Sequence, residues 1–78
     1  MSPRNPTPAA IIFREARLRA GLTQRELAEK LEVTPCSVYN YERGTTFPSE
    51  RVLFGIFDTL GIDAREFFKQ ISCSLRQL

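Results

Sequence analysis

Apolar residues recur three or four positions apart along most of the chain, and this spacing is typical of amphipathic α-helices. The first periodic segment begins at Thr7 or Pro8, which suit the cap and the first turn of a helix, and it ends at the residue before Gly21. The second begins at Thr23, which forms a capping-box pattern with Glu26, and continues through residue 31. The pattern therefore predicts two consecutive helices near the N-terminus.

Three further helices are predicted by the same signals. Only two residues separate the second helix from Thr34, which can cap a third helix that runs to Arg43. Ser49 and Asp63 are the caps expected for a fourth and a fifth helix, and no strand pattern appears in the sequence. We therefore predict an all-α, compact five-helix domain. Its expected organisation is a flexible N-terminal arm (1–7), a folded domain (8–68) and a C-terminal helical extension (69–78).

Composition excludes several classes of protein. The chain has 78 residues, of which 42% are hydrophobic and 26% charged, so we expect one small folded domain. Cys36 and Cys73 are too few for a disulfide framework, and histidine is absent, so neither a metal site nor a cofactor is predicted. Without histidine or a glycine-rich phosphate loop, we predict no enzymatic activity and no small-molecule substrate. Apolar runs are too short for a membrane span or a secretory signal, which favours the cytoplasm.

One stretch of sequence resembles a known family. Residues 17–31 read RLRAGLTQRELAEKL, and they are followed by Val33 and Thr34, by YERG at 41–44 and by Pro48. This run resembles the phage repressor/Cro-type family, also called the Xre family, and the resemblance spans residues 12–68. It implies a lambda-repressor-like fold that contains a helix-turn-helix. The helix at 34–43 would then enter the major groove of double-stranded DNA.

The resemblance also implies roles for individual positions. Those that match base-reading positions are Pro35, Cys36, Tyr39 and Asn40. Those that match positions along the DNA phosphates are Thr23, Gln24, Ser37, Arg43, Thr45 and Thr46, and the match for Gln24 implies that it also braces the helix at 34–43. The pair that matches a structural ion pair between helices one and three is Arg17 and Glu42. The amide of Asn40 can bond to both N6 and N7 of adenine, whereas Pro35 and Cys36 suit apolar contact with a thymine methyl.

The chain departs from the family pattern in the turn between helices two and three and at the start of helix three. Glu32 stands where the family commonly has glycine, and a left-handed conformation there would cost about 1 to 2 kcal/mol. Pro35 and Cys36 replace the glutamine, serine or arginine that are common at those positions. The preferred DNA sequence therefore cannot be taken from any relative.

The C-terminal extension carries an apolar stripe at spacings of three, four and three residues, formed by Phe68, Ile71, Leu75 and Leu78. We expect it to form the interface of a homodimer, although it could instead complete the monomer core by covering Ile11 and Leu18. The function predicted is that of a sequence-specific regulator, a repressor that binds a two-fold operator as a homodimer. The alternative is an antitoxin or anti-repressor that binds a protein partner through Phe54 and the same stripe.

Overall fold

The computed structural model describes the backbone of residues 7–76 and the side chains of residues 7–72. Within that range the chain forms five helices and no strand, and the predicted all-α five-helix fold is confirmed. The helices are α1 (Pro8–Arg19), α2 (Gln24–Leu31), α3 (Pro35–Arg43), α4 (Glu50–Leu60) and α5 (Ala64–Arg76). In the part of the chain that the structure describes, no helix has the length and apolarity needed to cross a membrane.

Side-chain caps define where the helices begin. Thr23 accepts a hydrogen bond from the backbone N–H of Glu26, and the Glu26 carboxylate accepts one from the N–H of Thr23, so the predicted capping box is complete. The other helices begin after a single side-chain cap, supplied by Thr7, Thr34, Ser49 and Asp63. Each cap satisfies a backbone donor that the helix itself leaves unpaired, and this is why the boundaries follow the sequence signals closely.

The core takes one nearly inaccessible side chain from every helix: Phe13, Leu27, Val38, Ile56 and Phe67. The Phe13 and Phe67 rings stack with their centroids 5.3 Å apart, and Phe57 meets Phe67 edge-on at 4.9 Å. This aromatic group ties the last helix to the first and the fourth. Each buried aromatic side chain stabilises the fold by about 1.5 to 3 kcal/mol through removal of apolar surface from water.

The turn between α2 and α3 is made at a backbone cost. Glu32 is left-handed, with φ 59° and ψ 42°, and its N–H donates to the carbonyls of Ala28 and Glu29. This is the conformation that its position in the turn led us to expect, and it costs a non-glycine residue about 1 to 2 kcal/mol. One small difference lies at the end of α1, which ends at Arg19 rather than at the residue before Gly21, and Ala20 is exposed.

The start of α1 lies against the end of α3. Gly44 caps α3 with φ 81°, and its N–H donates to the Asn40 carbonyl at 3.0 Å. A Cβ atom at Gly44 would lie only 3.1 Å from both the backbone nitrogen and the Cγ2 atom of Thr7. Glycine is therefore required here for two reasons, the left-handed backbone and the close approach of Thr7.

Candidate nucleic-acid interface

The outer face of α3 brings the four predicted base-reading residues together. Pro35 and Cys36 lie exposed in its first turn, and one turn later come Tyr39, which is 47% exposed, and the half-buried Asn40. Among the described residues, the Asn40 side chain makes one hydrogen bond, a donation from Nδ2 to the Cys36 sulfur at 3.8 Å. Because sulfur is a weak acceptor, the amide of Asn40 remains available to an outside partner.

The predicted phosphate-binding residues border this face at both ends of α3. Ser37 lies in the first turn and shares a 3.0 Å hydrogen bond between its hydroxyl and that of Thr34, while Arg43 lies exposed in the last turn. In the loop that follows, the Thr45 hydroxyl donates to the Asn40 carbonyl at 3.2 Å, and Thr46 is its exposed neighbour. Thr23 and Gln24, at the start of α2, complete the set predicted from the sequence.

A buried ion pair holds α3 from beneath. Arg17 on α1 and Glu42 on α3 are only 7% and 6% exposed, and the guanidinium donates twice to the carboxylate, from Nε at 2.7 Å and from NH2 at 3.1 Å. Arg17 also donates from NH1 to the carbonyl of Leu22 at 2.8 Å. Among the side chains described, no buried nitrogen or oxygen lacks a hydrogen-bond partner. A fully satisfied bidentate pair of this kind fixes both the distance and the angle between its two helices.

Gln24 belongs to the same network, in keeping with the bracing role that the family resemblance implies for it. Its Nε2 donates to Glu42 at 3.1 Å, so one carboxylate joins α1, α2 and α3. An amide nitrogen carries two hydrogens, and the bond to Glu42 uses one of them. Gln24 can therefore brace α3 and bind an outside acceptor with the same group.

One contact that the sequence analysis did not foresee involves Tyr39 and Arg43. The guanidinium carbon of Arg43 lies 5.3 Å from the centroid of the Tyr39 ring, and its NH1 lies 3.4 Å from the phenol oxygen. This is cation–π geometry, which restrains an otherwise flexible cation. The spacing of four residues along a helix was the signal in the sequence that could have revealed the pair.

The structure describes two side chains of the C-terminal stripe, and these two lie in different environments. Phe68 is 48% exposed, whereas Ile71 is half-buried and packs against the core. The Leu75 side chain and Leu78 lie outside the described residues. Ile11 and Leu18, which the stripe was alternatively expected to cover, are exposed in the described structure.

The geometry on α2 and α3 defines a class of protein. Two short helices meet at a tight turn, and the second is braced by a buried ion pair while it presents an exposed face. This arrangement defines a helix-turn-helix DNA-binding domain.

The comparison with protein families gives the same answer. The helix-turn-helix family model HTH_3 matches residues 13–67, so the chain belongs to this Xre-type family, and the resemblance found in the sequence is confirmed. The chain is thus a DNA-binding transcriptional regulator. No curated protein sequence matches it.

Solved structures with the same fold are also regulators. A crystal structure of the clp gene regulator ClgR from Corynebacterium glutamicum is 27% identical, covers 90% of this chain and 74% of that chain, and has a TM-score of 0.77. A second ClgR structure is 28% identical over 86% of this chain and 87% of that chain, with a TM-score of 0.73. The wild-type restriction-modification controller protein C.Esp1396I, 21% identical over 92% of this chain and 94% of that chain, has a TM-score of 0.72 and shares the fold.

Proposed function

We propose that the protein is a sequence-specific repressor that binds a two-fold symmetric DNA operator as a homodimer, with α3 of each copy in a major groove. The observation that carries the proposal is the outer face of α3, where Pro35, Cys36, Tyr39 and Asn40 lie together with no covering element from the described chain. This helix is short enough to enter one groove, and the Arg17–Glu42 pair holds it in a defined orientation. Binding of DNA requires no cofactor and no catalytic step.

Base reading is assigned first to Asn40. Its amide can accept from N6 of adenine and donate to N7, and a good bidentate contact discriminates between bases by about 1 to 3 kcal/mol. Pro35 and Cys36 offer apolar surface, which suits the methyl group of thymine. Because this face carries few strong hydrogen-bond donors, sequence-dependent DNA shape contributes the rest of the preference for one DNA sequence over another.

Phosphate contacts supply affinity and register around that face. Gln24 retains an amide hydrogen for a phosphate, and Arg43 carries a positive charge that Tyr39 holds in place. The remaining contacts come from exposed or half-buried hydroxyl groups of Thr23, Ser37, Thr45 and Thr46. Each phosphate that a cation neutralises adds about 0.9 to the slope of log affinity against log salt concentration.

A homodimer follows from the size of the site that one copy can read. The recognition helix α3 of one copy covers one half-site, and two-fold pairing of two copies sets the half-sites one turn of the DNA helix apart. We assign part of the contact between copies to the stripe that begins at Phe68 and continues through Ile71, Leu75 and Leu78. Repression then requires only that the bound dimer occupies DNA that a polymerase must enter. Such a regulator acts where the DNA is, in the cytoplasm of a bacterium or of a phage-infected cell.

Selection of bound sequences from a random duplex library tests the proposal directly. We expect an enriched inverted repeat whose half-sites are about one helical turn apart. In a titration at fixed salt, Asn40→Ala should reduce preference for the enriched sequence by about 5- to 150-fold while binding to unrelated DNA survives. Gln70→Ala removes an exposed amide on α5 and is the matched control. An equal loss by Asn40→Ala on all sequences would contradict the assignment.

A second candidate function is that of an antitoxin or anti-repressor that binds a protein partner. It is favoured by the exposed aromatic side chains Phe54 and Phe68, which lie on α4 and α5 rather than on α3. The two functions differ in their response to salt. DNA binding by several phosphate contacts falls steeply as salt is added, whereas absent or salt-insensitive binding to duplexes would favour the protein partner.

A further inference from the structure

The first turn of α3 presents an apolar surface formed by Pro35 and Cys36, which we call the apolar turn. Both residues are exposed on the recognition face. Proline has no backbone N–H and a hydrocarbon side chain, and a thiol is only a weak donor and a weak acceptor. The neighbouring hydroxyl groups of Thr34 and Ser37 bond to each other at 3.0 Å, and the Thr34 oxygen also accepts from the Ser37 N–H at 3.1 Å. The apolar turn therefore offers a base edge a surface without a strong hydrogen-bonding group.

A hydrogen bond links the apolar turn to Asn40, the residue assigned first to base reading. Asn40 donates from Nδ2 to the Cys36 sulfur at 3.8 Å. This bond uses one of the two amide hydrogens and leaves the other, together with the amide oxygen, for the N7 and N6 atoms of adenine. The two residues lie four positions and thus about 6 Å apart along the helix, whereas base pairs stack about 3.4 Å apart. Contacts by Cys36 and Asn40 therefore fall on different base pairs.

The base edge that fits the apolar turn is that of a pyrimidine with a methyl group. In the major groove the apolar group of the standard base pairs is the C5 methyl of thymine. The modified base 5-methylcytosine carries the same methyl group on the same ring carbon. The two bases differ beside it, where thymine has the O4 acceptor and cytosine has the N4 amino donor. A protein distinguishes them with a strong donor to O4 or a strong acceptor from N4, and neither side chain of the apolar turn supplies one.

We propose that the apolar turn recognises the pyrimidine methyl group itself, so that DNA with 5-methylcytosine in the half-site is a ligand of this protein as well as DNA with thymine. The proposal rests on the proposed function and adds to it the class of DNA that the first turn of α3 selects. A half-site with unmodified cytosine at this position is bound more weakly, and methylation of that cytosine raises the affinity. Binding then depends on the methylation state of the DNA as well as on its sequence.

The size of the expected effect follows from the apolar surface of one methyl group. Removal of that surface from water corresponds to about a fourfold change in affinity for one half-site. A two-fold operator contains two such contacts, so removal or addition of both methyl groups should change the affinity of a dimer by about 15-fold. A change of this size can be measured in a binding titration at fixed salt concentration.

Duplexes that differ only in methyl groups test the proposal on the full, unaltered chain. The starting duplex is the inverted repeat enriched by selection, and each symmetric pair of thymines is replaced in turn by uracil, which lacks only the methyl group. We expect one position at which uracil lowers the affinity by about 15-fold.

A second pair of duplexes separates the two bases that can carry the methyl group. At the position found with uracil, a duplex with cytosine opposite guanine is compared with one that has 5-methylcytosine opposite guanine. The methylated duplex should bind about 15-fold more tightly, and it should come within about threefold of the thymine duplex. Because both cytosine duplexes carry guanine, any contact with the purine cancels when they are compared.

The double variant Pro35→Ser with Cys36→Ser assigns the effect to the apolar turn. Two hydroxyl groups replace its apolar surface, while Thr34 still caps the helix. The effect of the methyl groups should fall below about twofold, whereas the preference that Asn40 confers at its own base pair should persist. Gln70→Ala, which alters an exposed side chain on α5, is the control and should keep the full methyl effect.

These measurements separate failure of this inference from failure of the proposed function. Selective binding to an enriched repeat in which no methyl group matters, or to which 5-methylcytosine adds nothing over cytosine, overturns the inference and leaves the proposed function intact. A methyl effect that the double variant retains in full also overturns the inference, because another part of the protein then meets the methyl group. A chain that binds no duplex selectively overturns both. If the double variant fails to fold, Cys36→Ser alone should still reduce the methyl effect measured on the unaltered chain, and an unreduced effect counts against the proposal.

Discussion

Replacement of Arg17 by methionine removes the centre of the network beneath the recognition helix. Methionine keeps much of the length of the side chain and all of its helix preference, but it donates no hydrogen bonds. Arg17→Met abolishes the two bonds to Glu42, at 2.7 Å and 3.1 Å, and the bond to the Leu22 carbonyl. The Glu42 side chain is only 3% exposed, so its charge is left buried, and Gln24 is its one remaining partner among the described side chains.

The magnitude follows from that burial. An exposed ion pair contributes under about 1 kcal/mol, whereas removal of one member of a buried pair costs about 3 to 5 kcal/mol because the other charge is left uncompensated. At roughly 0.05 to 0.15 kcal/mol per residue, the free energy of unfolding of this chain is about 4 to 12 kcal/mol. The substitution therefore removes a large share of the stability. At about 4 to 8 °C per kcal/mol, it should lower the Tm by about 12 to 40 °C.

Urea unfolding followed by circular dichroism measures the effect. Arg19→Met alters an exposed arginine two positions further along the same helix and should change stability by less than about 0.5 kcal/mol. In the double variant Arg17→Met with Glu42→Leu, no buried charge remains, and most of the loss should be recovered. A loss below about 1 kcal/mol for Arg17→Met, or a double variant as unstable as the sum of the two single ones, would refute the reasoning.

Three further substitutions test other features. Glu32→Gly should raise the free energy of unfolding by about 0.5 to 1 kcal/mol in the same urea assay. The reason is that relief of the left-handed strain exceeds the entropy that glycine adds to the unfolded chain, and no gain would contradict this. Gly44→Ala should lower the free energy of unfolding by about 1 to 3 kcal/mol, because the left-handed backbone strains alanine and the new Cβ meets Thr7. Unchanged stability would count against that contact. Tyr39→Phe keeps the ring beside Arg43 and should leave DNA affinity within about twofold, whereas Tyr39→Leu should lose about two- to fivefold in a salt-controlled titration. Equal losses from the two Tyr39 variants would show that the ring does not position Arg43.

Helix boundaries could be predicted from the sequence because they depend on local chemistry. Each boundary signal acts on backbone groups only a few residues away. These signals are the capping threonine or serine, the glycine that ends a helix, and the capping pair Thr23 and Glu26. The left-handed backbone at Glu32 was anticipated on a different ground, since Glu32 stands where the family that the sequence resembles commonly has glycine.

Contacts between distant segments were harder to predict. Periodicity shows that Phe68 and Ile71 share a face of α5, but it cannot show that the core accepts Ile71 and leaves Phe68 exposed. The bond from Gln24 to Glu42 spans 18 positions and depends on the angle between α2 and α3, which no local pattern encodes. The exposure of Phe54 depends likewise on which neighbours α4 meets.

The contact between Thr7 and Gly44 has a consequence for the protein's motions. Because of this contact, we expect the first turn of α1 and the last turn of α3 to open as a single cooperative unit, although they are distant in sequence. Their amide hydrogens, such as those of Ala10 and Gly44, should then exchange with solvent in one shared opening event rather than by independent fraying. Each such event would release the end of the helix that carries Arg43, so the lifetime of the closed unit would limit how long that side chain stays in the position proposed for phosphate contact.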